Sequence, residues 1–221
     1  MTIAVQHPFM KVLTDAARGE FPPPNGAATA LGPLPGPCDS VAVFAHHMMV
    51  AANVDQTWVD ANYIKSRGLA DANPSGPIFT FVNVLGARLG NPRTYASLLM
   101  AAPPETGYLH GKIVEGGEPD SQWAACRTEV RCYHYTSPGA AGAFALGRGP
   151  AGRWEVYFRV DEGPGGRVGR ELLTAAKTVA PDHHVLYGSA PLHDPRVIRI
   201  TIASGFQPIC TEILLLTRPQ H

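Results

Sequence analysis

Apolar residues follow two rhythms along this chain, a helical period near 3.6 and short alternating or continuous runs, with glycine and proline marking the breaks. Phe9, Val12, Leu13 and Ala16 share one helical face and predict a short amphipathic helix. Two clusters follow it, Phe21-Pro-Pro-Pro-Asn-Gly26 and Leu31-Gly-Pro-Leu-Pro-Gly-Pro-Cys38, which read as a connector, with the compact domain expected from near Ser40. Residues 41–44 (Val-Ala-Val-Phe) predict a buried strand. Asp55 is placed to cap the amides two and three residues on, opening a helix through Trp58 and Val59. A second helix is expected over 77–89, and Asn91-Pro92 and Ala102-Pro-Pro104 mark loops around the apolar Leu98, Leu99 and Met100.

Beyond Cys126 the runs 129–135, 142–146 and 153–160 are β-prone and separated by turn residues, the pattern of an antiparallel meander. A glycine-rich turn over 161–169 comes next. Leu172, Leu173, Ala176 and Val179 then recur on one helical face, and Pro181 ends that helix. A strand over 185–189, another helix and a strand over 209–217, closing at Thr217, complete the chain. In that last helix Asp194-Pro195 is a start signal and Gly205 a stop. We weigh these above the poor helix propensity of the β-branched Val197, Ile198, Ile200, Thr201 and Ile202.

Composition narrows the function classes. The 221 residues are 45% hydrophobic, enough for a core, and 18 basic residues balance 18 acidic ones. No net field recruits nucleic acid or an anionic membrane, so neither is an expected partner. The apolar stretch 41–54 is interrupted by His46, His47 and Asn53 and is too short for a bilayer span. Residues 1–10 lack the features of a secretory signal, and the expected location is cytoplasmic. Cys38, Cys126, Cys132 and Cys210 form no C-x-x-C pair, which predicts reduced, packed thiols rather than a zinc ribbon.

A strand that runs through a glycine-rich turn into a helix presents unpaired amides to an anion, and Arg167 and Arg170 flank this turn. No G-x-G-x-x-G is present, and the preceding strands read as antiparallel, against a Rossmann unit. The order of the last 70 residues resembles the C-terminal half of the GNAT superfamily of acyl-CoA-dependent N-acyltransferases. Arg153-Trp-Glu-Val-Tyr-Phe-Arg-Val160 is similar to the family's central strand, and Gly165-Gly-Arg-Val-Gly-Arg-Glu-Leu-Leu173 to its pyrophosphate loop and helix. Residues 194–206 resemble the later helix that ends in Gly-Phe. The sequence departs from the family pattern at Pro164, at Arg167 where a glycine is usual, at Asp194 where asparagine is usual, and at Thr201 where a tyrosine often protonates the thiolate.

The resemblance implies an α/β (α+β) fold with a mixed, mostly antiparallel sheet flanked by helices and splayed to admit acetyl-CoA or another acyl-CoA. Residues 1–39 would be the N-terminal helix and connector, and 40–221 a single domain with an acceptor half (40–125) and an acyl-CoA half (126–221). The pantetheine arm would lie beside the backbone from Phe158 to Val160, and the pyrophosphate over Gly165, Gly166, Arg167, Gly169 and Arg170, with Asp194 on the later helix. The implied reaction is direct acyl transfer to a small-molecule amine without a metal, and the implied assembly a homodimer. Two alternatives stand beside it, a scaffold that binds a small molecule without turnover and a biosynthetic enzyme with another reaction, such as thioester decarboxylation.

Glu155 on the central strand is the leading general base, with an ion pair to Arg153 or Arg148 as its structural alternative. His134 on the preceding strand is the second candidate, with a hydrogen-bonded core histidine as its alternative. His46-His47 and His183-His184 offer at most one ligand per pair to a given site, which argues against a metal centre. His110 and His193 read as surface or loop residues. Trp123 reads first as packing, and its turn-rich surroundings also suit an aromatic that lines a substrate cleft.

Overall fold

A computed structural model describes residues 6–68, 76–90, 92–103, 110–181 and 184–216. Asn91, Pro104, His183 and Thr217, named above, lie outside them. In chain order the elements are α1 (Pro8–Ala17), β1 (Ala28–Ala30), β2 (Cys38–Phe44), β3 (His47–Ala51), α2 (Gln56–Gly68), α3 (Gly76–Arg88), β4 (Arg93–Ala102) and β5 (Lys112–Glu115). They continue with α4 (Ser121–Ala124), β6 (Thr128–Ser137), β7 (Ala140–Arg148), β8 (Trp154–Glu162), α5 (Gly165–Val179), β9 (Leu186–Pro191), α6 (Pro195–Ala203) and β10 (Gln207–Leu216). The strands form one ten-stranded sheet in the order β1-β3-β2-β10-β4-β9-β8-β7-β6-β5. Among the described residues only β1 with β3 and β8 with β9 pair in parallel, so the sheet is mixed and mostly antiparallel, as expected. No helix among the described residues is long and apolar enough to cross a membrane.

Alternation along the strands sorts the helices onto two faces. Met100 and Ala102 of β4 join the cluster under α5, and Leu99 and Ala101 join the one under α1. Leu98 pairs with Thr211, which puts Ile213 and Leu215 on the α5 face, where they pack with Phe81 and Leu85 of α3. Thus α2, α3, α5 and α6 cover one face, and α1 and α4 the other. Both faces of β2 and β3 are buried, which explains their uninterrupted apolar runs.

Four readings change. The expected connector carries β1, and His47 fastens it. The His47 ring contacts Thr29 Oγ1 at 3.0 Å and Asn25 Oδ1 at 2.9 Å. The glycine-rich turn shrinks to Gly163 and Pro164, because β8 runs to Glu162 and α5 begins at Gly165. Gly163 has φ +98°, and a Cβ there would lie 2.6 Å from the Gly139 carbonyl oxygen, so only glycine makes this turn. Gly169 thereby moves from loop to helix. Finally, Cys38 and Cys126 form a disulfide across 88 residues, where reduced thiols were expected; C-x-x-C spacing is blind to a pair brought together only by folding. Cys132 and Cys210 remain thiols, and burial raises the pKa of each.

Helix α6 forms despite its β-branched residues. Asp194 Oδ1 accepts from the Arg196 and Val197 amides at 3.0 and 3.4 Å, and Gly205 leaves the helix at φ +85°. Packing against the α5 cluster by Val197, Ile198 and Ile200 supplies what propensity does not.

Candidate functional site

The parallel partners β8 and β9 stay in register only at Trp154 with Leu186, Glu155 with Tyr187 and Val156 with Gly188. Past these residues no further β8–β9 pairing occurs among the described residues, and a cleft of about 680 Å³ opens there. The cleft passes through the sheet. Phe158 turns toward α5, where its ring would meet a Cβ on Gly169 at 3.2 Å, and Leu173, Val197 and Thr201 line that side. Tyr157, its neighbour in sequence, turns to the opposite face and packs on Trp123 with ring centroids 5.8 Å apart. Tyr95 and Ser97 of β4, with Asp120, Gln122 and Arg127 around α4, line this second side.

One elbow builds the α4 wall. Asp120 caps it by accepting from the Trp123 amide at 2.8 Å, and Arg127 lies over the Trp123 ring, its guanidinium carbon 4.5 Å from the centroid. Gly147 in β7 admits both side chains, since a Cβ there would meet the Trp123 ring at 3.2 Å and the Arg127 Cβ at 3.4 Å. Burial raises the pKa of Tyr157, and the Asp120 carboxylate adds to the shift, so the phenol keeps its proton. His193 lines the cleft just beyond β9.

Glu155 sits at the bottom of this wall and is 1% exposed. Arg127 Nε donates to its Oε2 at 2.6 Å, and Arg153 Nε donates to its Oε1. Arg153 in turn forks onto Glu212 at 2.8 and 2.6 Å, and Ser40 Oγ donates to Glu212 Oε1 at 2.7 Å. Burial alone would raise the Glu155 pKa, but the charges and hydrogen bonds of Arg127 and Arg153 outweigh it and hold the carboxyl below the usual range. A carboxylate with both oxygens claimed by guanidiniums is a poor proton acceptor, so the geometry is that of the ion-pair alternative. His134 is exposed on β6 beside Gly117, outside the cleft lining. Its hydrogen-bonded-core alternative does not describe it either.

The other expected residues scatter. Phe158 lines the cleft, and Val160 packs on the α5 cluster. Gly165 and Gly166 form the exposed first turn of α5, whose N-cap Pro164 supplies no side-chain hydrogen bond. Arg167 donates instead to the Gly139 carbonyl at 3.2 Å and stands 3.7 Å from Glu171. Gly169 is a packing position, where a Cβ would sit 2.8 Å from Ile200 Cγ2. Arg170 is exposed in the same helix. Asp194 is spent as the α6 cap; the Arg196 side chain and the two amides lower its pKa. Thr201 Oγ1 reaches the Val197 carbonyl at 2.8 Å. Of the paired histidines, His46 lies in the β2–β3 turn and His47 is the fastener described above. No group of three or more His, Cys, Asp or Glu positioned for a metal occurs among the described residues.

Sequence reading missed Tyr157, Asp120, His193 and Tyr95 as cleft residues. Turn chemistry around Asp120 and Trp123 was the one usable signal, and Trp123 does line the cleft. An acyl-CoA fits two features present here. No side chain caps the Gly165 and Gly166 amides at the end of β8, and Ser189 Oγ, on the β9 wall, is buried with no hydrogen-bond partner. No family model matches the sequence, and no curated protein matches it. Among solved structures the chain is similar to a GCN5-related N-acetyltransferase from Kribbella flavida, 13% identical, with 100% of this chain and 98% of that chain covered at a TM-score of 0.39.

Proposed function

We propose that this protein is an acyl-CoA-dependent N-acyltransferase of the GNAT type, transferring an acyl group directly to a small-molecule amine. The observation that carries this reading is the divergence of β8 from β9 after Val156 and Gly188, which opens a cleft through the sheet with the Gly165 and Gly166 amides, uncapped by any side chain, at the end of β8. The thioester enters from the α5–α6 side, its pantetheine along the free edge of β8 near Phe158 and its pyrophosphate at Gly165, Gly166 and Arg170. The amine enters from the α4 side between Trp123, Tyr157 and Tyr95. Asp120 attracts its ammonium form, the His193 imidazole takes one proton to leave the neutral amine, and once that nitrogen has attacked the thioester carbonyl its second proton passes by way of the Tyr157 phenol to the departing thiolate. The neutral Tyr157 phenol is the donor available to the departing thiolate, a role that Thr201 cannot fill while bonded to Val197. A cytoplasmic location and a homodimer belong to the same reading.

A second reading is a scaffold that binds its ligand without turnover. The closed ion network at Glu155 and the spent hydroxyl of Thr201 favour it. Titration calorimetry with acetyl-CoA and longer acyl-CoAs, followed by thiol-release assays against an amine panel, separates the two. Binding with thiol release supports the transferase, and binding without release supports the scaffold. No heat with any acyl-CoA at millimolar concentration overturns the transferase, and thioester decarboxylation with it, and leaves a scaffold for a ligand other than CoA.

A further inference from the structure

The elbow from Gly116 to Arg127 forms much of the α4 wall and is held at a few points: the Gly116 amide donates to the Cys132 carbonyl at 2.8 Å, Trp123 packs on Tyr157 and fills the space at Gly147, and Arg127 donates to the Trp123 carbonyl. It begins at Gly116 and Gly117, with φ of +147° and +98°, next to the four-residue outer strand β5. Residues 116–118 and 120–122 are exposed, and α4 is a single turn. At its far end Arg127 is held by Glu155. A covalent tie is added by the bond from Cys126 to Cys38, the first residue of β2, which pairs with Leu216 at the end of β10. The disulfide thus joins the wall of the cleft to the N-terminal side of the sheet, and Cys126 itself lines the cleft.

We propose that the Cys38–Cys126 disulfide is a thiol-exchange site, and that its reduction releases the α4 wall and opens the cleft on that side. Cys126 is 8% exposed and Cys38 3%, so a dithiol reductant that enters the cleft attacks Cys126 Sγ. A bond forms from the reductant sulfur to Cys126, the Cys38–Cys126 bond breaks, and Cys38 leaves as a thiolate that takes a proton. The second thiolate of the reductant then attacks its own first sulfur, closing the reductant's disulfide and freeing Cys126, which is protonated in turn. Two electrons and two protons pass to the protein. Cys132 and Cys210 compete poorly as exchange partners, because burial keeps both protonated. Once the bond is open, Arg127 still anchors the end of the elbow, while residues 116–126 lose their tie to β2. The inference concerns the cleft wall and does not depend on which ligand the cleft takes.

The test uses the intact protein and dithiothreitol under native conditions. Maleimide labelling with mass analysis is expected to show Cys38 and Cys126 becoming reactive while far-UV circular dichroism stays native. Amide exchange over 112–127 should quicken by about tenfold or more, with peptides of α5 unchanged. Cys126→Ser should reproduce the fast-exchanging state and no longer respond to dithiothreitol. Reduction that occurs only in denaturant, or that leaves exchange over 112–127 unchanged, overturns the proposal and makes the bond a fixed staple. The labelling and exchange of the unaltered protein decide the matter even if the variant fails to fold. No readout involves acyl-CoA, so failure here leaves the transferase reading untouched, and failure of that reading leaves this one standing.

Discussion

Replacing Glu155 by glutamine separates a structural carboxylate from a catalytic one. The amide keeps the size of the side chain but removes its charge, leaving the guanidiniums of Arg127 and Arg153 buried against a neutral group, with Glu212 the remaining carboxylate on Arg153. One of the two amide positions is an NH2 that faces a guanidinium donor to donor. Breaking a buried ion pair by removing one partner costs about 3–5 kcal/mol. For a chain of this size, where 1 kcal/mol shifts Tm by about 2–4 °C, the expected fall is roughly 6–20 °C. Arg127 would also lose its hold over the Trp123 ring, so fluorescence of the cleft wall should change with the melting curve. Differential scanning calorimetry on Glu155→Gln, beside Arg127→Met and the double variant, measures the coupling. An unchanged Tm with acyl transfer reduced a hundredfold would refute the ion-network account and restore Glu155 as the base.

The same network sets an acid limit. The folded pKa of Glu155 lies below its unfolded value, so its contribution is complete above the ordinary glutamate range and is lost as pH falls through the folded value. Acid unfolding followed by circular dichroism should therefore have a midpoint below about pH 4.3 that is less steep in Glu155→Gln. Gly169→Ala should destabilise the fold by about 1–3 kcal/mol, because its Cβ meets Ile200 Cγ2 at 2.8 Å, and Ile200→Ala should recover part of that loss in thermal melts. Arg170→Ala should weaken acetyl-CoA by about tenfold or more with Tm unchanged, as expected for loss of a charge-assisted phosphate contact; equal affinity by calorimetry would remove Arg170 from the site.

Local pattern by itself determined most elements of this protein. The helical spacing of Phe9, Leu13 and Ala16, the Asp55 and Asp194 caps and the meander ending in β8 are all consequences of side-chain period and backbone capping, which act over a few residues. The divergence of β8 from β9 was implied by resemblance, but its chemistry was not legible, because the polar groups of the cleft come from β4, α4, β8 and β9, which are distant in sequence. Glu155 shows why. Its position early on a central strand was correct, yet whether a buried carboxylate is free or bound depends on Arg127, 28 residues away, and on Arg153, itself claimed by Glu212, 59 residues away. Gly169 likewise became a packing residue only when Ile200 was laid against it, and Cys126 became half of a disulfide only when folding set its Cα 5.8 Å from that of Cys38. Period and capping are properties of neighbours along the chain, whereas charge pairing, close approach and cross-linking belong to neighbours in space, which only the tertiary structure creates.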